Sequence, residues 1–324
     1  MTKKTKHAAR LKFGDGISIA AAIFIFALLL KNSSLASSSV KDALKLCSTM
    51  LIPSLFPMTV ASEIMTNTNA IEKLTSSFSY PISKILGVGK NATVPYFLGL
   101  FGGYTSSCKS AVLLYQSGKI SKADCESIIA LSNIPSLAFM TGFIGIGIFE
   151  SSTVGWILWI IAVFSTLILG ILNNLFHKNT SCESTYDFPY TVKKKNISKI
   201  IVESIAHSAQ AMLIICACVV FFSVLIAVLN QYFMHIPLPE NAKNIILGAF
   251  EITKGISTCE KFKIPTSRAI ACAFLVGWSG LCVHFQVIAL CEDANISFKK
   301  YFIFKAIQAP ISAALAWIAF NLNF

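Results

Sequence analysis

The sequence predicts an all-α polytopic membrane protein with about seven transmembrane helices and two re-entrant or broken helical segments. Hydrophobic residues make up 55% of the 324 residues, charged residues make up 13%, and the mean hydropathy is +0.68. Such a chain is too apolar for a soluble surface, and it has room for several spans of about 20 residues each. We therefore expect one integrated membrane domain and no separate catalytic domain.

The basic residues predict how the chain lies in the membrane. The net charge is +12, but these residues flank apolar runs, as topology signals do, so we expect no nucleic-acid partner. Residues 1–40 are predicted to form a cytoplasmic basic amino terminus and a first transmembrane helix. The last residues of this range, 32–40, are predicted to be a Ser-rich connection. Residues 177–199, with three consecutive lysines, are predicted to form a cytoplasmic linker.

The apolar runs define the predicted crossings. The second run contains Pro53 and Pro57, which predict a kinked helix. Residues 67–95 are more polar and predict an amphipathic helix on the cytoplasmic surface. The seven predicted crossings are 17–30, 42–66, 126–149, 153–176, 200–230, 269–290 and 301–321.

The first broken segment is predicted at residues 98–109. Gly102 and Gly103 loosen the helix there, the next residues supply hydroxyl groups, and Lys109 adds a cation. Backbone that leaves the helix at membrane depth is tolerated only where protein or a watery cavity satisfies its polar groups. The segment is therefore a candidate transport site, and the alternative is a short surface loop.

A second broken segment is predicted in the carboxyl-terminal half. Residues 247–259 align with residues 98–110, and the Ser279–Gly280 break corresponds to a break at Ser132–Asn133. Weak internal repetition of this kind is typical of transporters built from duplicated halves. It predicts two inverted repeats, at residues 41–176 and 200–324. The basic stretch at 261–268 would then face outward, which leaves open whether residues 244–263 are re-entrant or cross the membrane.

The chemistry available to the chain is that of polar residues in apolar segments. Hydrolase, zinc-protease and Walker motifs are absent, so we expect neither an enzyme nor a cofactor. Two half-helix amino termini with Lys109 and Lys254 beside them would suit a small anionic substrate. Glu251 could carry a proton or balance a lysine. His284 could be a protonation switch or a packing residue.

Four motifs carry a family resemblance: LGLFGGYTSSCKSAVLL, SNIP, FEITKG and GWSGLCVHFQV. Together they resemble the YlbJ-type sporulation integral membrane proteins of the nucleoside-recognition Gate group. The family's first-half motif reads Gly-Tyr-Pro-x-Gly-x-Lys. Gly103, Tyr104 and Lys109 match it, whereas Thr105 replaces the proline and Ser107 the glycine.

The resemblance implies a sporulation transporter that moves dipicolinate out of the mother cell, located in the outer forespore membrane. The implied partners are a small anion and the lipid bilayer, and a homo-oligomer is left open. A carrier of nucleosides or other neutral solutes, or a non-transporting membrane scaffold, are the alternatives. The candidate substrate-binding residues are Gly103, Tyr104, Ser106, Lys109, Asn133, Glu251, Thr253, Gly255, Ser279, Gly280, His284 and Gln286.

Overall fold

The computed structural model describes residues 16, 19–20, 22–68, 70–176, 196–233 and 236–322. These residues form helices joined by short turns, without a strand among them, which confirms the predicted all-α class. The basic residues at 1–15 and the lysine-rich part of the linker lie outside the described residues. The topology derived from them stays a prediction.

The described helices, in chain order, have the following bounds. They are α1 Ala22–Lys31, α2 Ser33–Leu46, α3 Ile52–Asn67, α4 Ala70–Leu86, α5 Thr93–Gly102, α6 Tyr104–Gln116, α7 Lys122–Leu131, α8 Phe139–Phe149, α9 Ser152–Phe176, α10 Ile197–Phe233, α11 Glu240–Gly248, α12 Ile252–Cys259, α13 Pro265–Trp278, α14 Leu281–Leu290 and α15 Lys299–Leu322.

Among the described residues, five helical stretches are long and apolar enough to cross a membrane. This confirms a polytopic membrane protein. The other two predicted crossings coincide with α1 and α8, which are apolar but shorter, so the number seven stays a prediction. The five stretches are Ser33–Met65, Ser152–Leu175, Ile197–Gln231, Pro265–Leu290 and Lys299–Leu322.

The prediction of a Ser-rich connection after the first helix is wrong, because these residues form helix α2. Serine is accommodated there by bonding back to the helix: the Ser38 hydroxyl donates to the Leu35 carbonyl at 3.1 Å. The kink expected from the prolines stays a prediction. A turn with i→i+5 hydrogen bonds, Cys47–Leu51, lies just before Ile52 and Pro53, and Pro53 has no N–H to continue the regular pattern.

Both predicted broken segments are helical hairpins. Helices α5 and α6 pack against each other, and so do α11 and α12. Each of these four helices contains 8 to 13 residues, fewer than the roughly 20 needed to cross a bilayer. A Cβ placed on Gly248 would lie 2.8 Å from the Cα of Gly255, so the second hairpin closes through direct backbone contact. These lengths agree with re-entrant segments.

The long helices surround the two hairpins. Helix α10 packs against α2 and α3 on one side, and α15 packs against α7, α9 and α13 on the other. The helix order is similar in the two predicted repeats: a long helix, a hairpin, a broken helix and a long helix, with α4 as an addition in the first. The duplication itself stays a prediction.

Candidate functional site

A cavity lies where four breaks in the helices meet, and we call it the central cavity. The breaks are at Gly103, residues 132–136, residues 249–251 and residues 279–280. Together with its open mouth, the cavity contains about 810 Å³ of space that protein atoms do not fill. Helices α3 and α10 contribute apolar side chains to its wall, among them Leu51, Leu55, Met212 and Ile215.

In the first half, the turn of the hairpin contacts the unwound segment after α7. Gly103 has φ +77° and ψ −176°, a conformation that essentially only glycine adopts. A Cβ there would lie 3.2 Å from the Ser136 backbone nitrogen. The hydroxyl groups of Ser107 and Ser132 are hydrogen bonded nearby. Ser107, which stands where the family pattern has glycine, therefore forms a side-chain link between the hairpin and the break.

In the second half, the two breaks are joined by backbone hydrogen bonds. The N–H groups of Leu281 and Cys282 donate to the carbonyls of Ala249 and Phe250, both at 2.9 Å. These donors belong to the first turn of α14 and have no acceptor within their own helix. Gly280, at φ +82°, allows the close approach.

Glu251 caps the amino terminus of α12. Its two carboxylate oxygens accept hydrogen bonds from the backbone N–H groups of Thr253 at 2.9 Å and Lys254 at 2.5 Å. The side chain is 1% exposed. A carboxylate at this position satisfies free donors and is stabilised by the helix dipole. The amino terminus of α12 is thus occupied by the protein's own carboxyl group.

The amino terminus of α6 also lies at the cavity, but it lacks a side-chain cap of the kind that Glu251 forms for α12. Gly103, Tyr104 and Thr105 all line the cavity, and no described side chain caps this helix. By contrast, α8 is preceded by Ser136, whose hydroxyl accepts from the Phe139 N–H at 3.3 Å. Of the four described helices that start at the breaks, α8, α12 and α14 each have at least one first-turn N–H group bonded to a described side chain or to a carbonyl of another segment, whereas α6 has none.

One hydrogen bond links the two halves across the cavity. The Tyr104 hydroxyl on α6 donates to the Gln286 side-chain oxygen on α14, at 2.5 Å. Both residues line the cavity. The amide of Gln286 is oriented by a second contact, from its nitrogen to the Cys282 sulfur at 3.2 Å. This direct bond joins the two halves of the protein at the cavity wall.

A second link lies behind the cavity wall. The Asn133 side-chain nitrogen donates to the Tyr301 hydroxyl, and this hydroxyl lies 2.7 Å from Nδ1 of His284. The Tyr301 hydroxyl therefore bridges the Asn133 side chain and the imidazole of His284. His284 does not line the cavity and is connected to the cavity wall through Tyr301 and Asn133.

Lys305 continues this network and is fully buried, at 0% exposure. Its ammonium group donates to the Asn133 carbonyl at 2.8 Å and to the Gln308 side-chain oxygen at 2.7 Å. Gln308 in turn donates to the Ser165 hydroxyl on α9 at 3.0 Å. Both bonds of Lys305 to described residues go to uncharged oxygens, so its amino group is held one residue behind the cavity wall.

Sequence reasoning missed Tyr301, Lys305 and Gln308. They lie on the last long helix, where the sequence predicts a membrane crossing. A signal was present: the three residues are four and three positions apart, so they share one face of an otherwise apolar helix. A lysine within an apolar run is itself an indication of a functional or paired group.

The structure brings together seven of the twelve predicted site residues. They line the central cavity and are Gly103, Tyr104, Asn133, Glu251, Thr253, Ser279 and Gln286. Ser106, Gly280 and His284 lie beside or behind the wall without lining it. Gly255 faces a separate cleft.

The predicted placement of the two lysines beside this cavity is wrong. Lys109 is exposed on α6, and Lys254 lines the separate cleft. The described lining of the central cavity contains no lysine or arginine, and Glu251 is its carboxyl group. Helix phase explains the error, because Lys109 follows Tyr104 by five residues, about 500° of rotation, and so faces away from it.

Comparison with known proteins supports the resemblance read from the motifs. No family model matches the chain, and no solved structure matches it significantly. A curated relative does match: the sporulation integral membrane protein YlbJ of Bacillus subtilis (strain 168) is 22% identical over 330 aligned positions, covering 91% of this chain and 80% of the relative. The predicted resemblance to the YlbJ-type sporulation integral membrane proteins is therefore confirmed over nearly the whole chain.

Proposed function

We propose that the chain is a sporulation-associated membrane transporter that binds a small solute in the central cavity. The observation that carries this proposal is the meeting of four helix breaks in one cavity inside a bundle of membrane-spanning helices. Unwound backbone at membrane depth is costly unless it lines protein or a solute pathway. Transporters place their substrate sites at such breaks.

The first candidate substrate is a small aromatic dianion, dipicolinic acid, as the family resemblance implies. The uncapped amino terminus of α6 offers free N–H groups and the positive end of a helix dipole to a carboxylate. Lys305 adds a positive charge behind Asn133. The Tyr104 ring and the apolar side chains of α3 and α10 supply surface for an aromatic ring.

Glu251 is the residue that we propose carries a coupled proton. An ionised Glu251 would repel a dianion in the same cavity, and like charges so close together cost several kcal/mol. We propose that a proton on Glu251 accompanies the bound anion, which couples transport to the pH gradient. In the family setting, movement is from the mother cell toward the forespore, across the outer forespore membrane.

A neutral solute such as a nucleoside is the second candidate. It is favoured by the described lining, which offers amide and hydroxyl groups and an aromatic ring but no lysine or arginine. Such a solute would hydrogen bond to Asn133 and Gln286 without meeting the cost of a second negative charge beside Glu251.

Flux measurements on the full chain in lipid vesicles distinguish these candidates. Dipicolinate and a nucleoside are each supplied with and without an imposed pH gradient. The proposal expects dipicolinate flux that depends on the gradient, and loss of most of that flux in Tyr104→Phe, which lacks the bond to Gln286. Tyr80→Phe is the matched control, because Tyr80 is 60% exposed on α4. Nucleoside flux alone would support the second candidate, and absence of both fluxes would support a scaffold.

A further inference from the structure

A second cavity lies between α2, α10, α11 and α12, and we call it the basic cleft. It contains about 1740 Å³ of unfilled space, including its open mouth. Three lysines line it, Lys243, Lys254 and Lys261, together with two acidic residues, Asp42 and Glu240. Serine, threonine and asparagine side chains make up much of the remaining wall, so the cleft is suited to water and ions.

Helix α12 separates the basic cleft from the central cavity. Its start, Glu251 to Thr253, lines the central cavity, whereas Lys254 and Gly255 in the next positions line the cleft. Consecutive residues of one helix of eight residues therefore line both spaces.

Lys254 is the lysine nearest to this wall. It is partly buried, and no described side chain accepts a hydrogen bond from its ammonium group. Its backbone N–H caps Glu251 while its side chain points into the cleft. A positive group is thus presented to the cleft directly behind the central cavity.

We infer that the basic cleft is an anion-collecting vestibule that binds small carboxylate anions as they enter or leave the central cavity. This inference rests on the proposed transport of an anion. The described wall of the central cavity has no lysine or arginine, so an anion can contact lysine side chains directly in the cleft but not in that described wall. A cleft with an excess of positive groups and low-dielectric walls raises the local concentration of anions.

Charge variants tested for dipicolinate flux in vesicles address this inference. Lys254→Gln and Lys261→Gln should each raise the half-saturating concentration roughly fivefold, the factor for one unit charge about 4 Å away in water, with an unchanged maximal rate. Asp42→Asn should lower it. Lys263→Gln is the matched control, because Lys263 is exposed in the same loop but does not line the cleft. Added salt should raise the wild-type value and affect Lys254→Gln less.

The outcomes separate the inference from the function on which it rests. If the wild type transports dipicolinate but the lysine variants keep its half-saturating concentration and salt dependence, the vestibule is overturned and the transporter stands. If the wild type transports no dipicolinate, the anion proposal fails and the vestibule fails with it. Size-exclusion profiles establish that each variant is folded before its flux is compared.

Discussion

The two hairpins begin their second helices in opposite ways. In the second hairpin, the Glu251 carboxylate occupies the amino terminus of α12. In the first, α6 starts after Gly103 with no side-chain cap, and its first residues line the same cavity. A helix amino terminus binds an anion readily. The difference suggests that the protein supplies one carboxylate itself and leaves the other position for the substrate.

The breaks are also held by different bonds. In the second half, backbone N–H groups of α14 bind the carbonyls of Ala249 and Phe250. In the first half, side chains of α15 hold Asn133, through Tyr301 and Lys305. Backbone bonds are insensitive to most substitutions, whereas each side-chain bond can be removed individually. The first half is therefore where the comparison can be tested by mutation.

Gly103→Ala should have the largest effect, because it removes the turn that exposes the α6 amino terminus. A side chain at φ +77° is strained, and its Cβ would also lie 3.2 Å from the Ser136 nitrogen. We expect a loss of more than about 2 kcal/mol in the free energy of unfolding, together with loss of flux. Gly118→Ala is the control: φ is +71° there, but nothing lies within 4 Å. Equal losses from both changes would show that contact with Ser136 is unimportant.

Lys305→Met should act mainly on anion binding. Removing the ammonium leaves two buried oxygens without a donor, but it also relieves the cost of burying a charge. We therefore expect the unfolding free energy to change by less than about 2 kcal/mol. Dipicolinate affinity should fall by roughly tenfold, or about 1.4 kcal/mol.

The control for this variant is Lys299→Met, because Lys299 is exposed at the start of the same helix. Both variants are compared by thermal unfolding and by dipicolinate binding to the purified protein. Unchanged dipicolinate affinity in Lys305→Met would show that this lysine has only a structural role.

Glu251→Gln should have the smallest effect on folding and a distinct effect on coupling. Glutamine keeps one oxygen for the cap but no charge, so the change in stability should stay near 1 kcal/mol or below. Dipicolinate flux should persist and lose its dependence on the pH gradient. Glu260→Gln, at an exposed position after α12, should keep that dependence. Gradient-dependent flux in Glu251→Gln would assign the proton to another group.

The positions of the helix breaks could be predicted from the sequence. Paired glycines at 102–103 and the Ser279–Gly280 step interrupt apolar runs, and the breaks lie at those residues. The helix at the Ser-rich stretch before residue 42 could not be predicted in this way. Serine is common in loops, but its hydroxyl can also bond back to a helix carbonyl.

The composition of the site was harder to predict. Helix phase places Lys109 outside the cavity, and the phase depends on where the helix begins after Gly103. The network of Lys305 depends on the packing of α15 against the broken α7–α8 segment, which joins residues more than 170 positions apart in the sequence. Local sequence patterns carry no information about such contacts.

The central claim is that the α6 amino terminus binds a carboxylate of the substrate. The most direct test is dipicolinate binding and flux in Thr105→Asp, compared with Thr105→Asn, since Thr105 lies in the first turn of α6 and lines the cavity. The aspartate would provide this terminus with its own anion, as Glu251 does for α12. We predict a loss of affinity on the order of 100-fold for Thr105→Asp and little change for Thr105→Asn. Equal affinity in the two variants would contradict the claim.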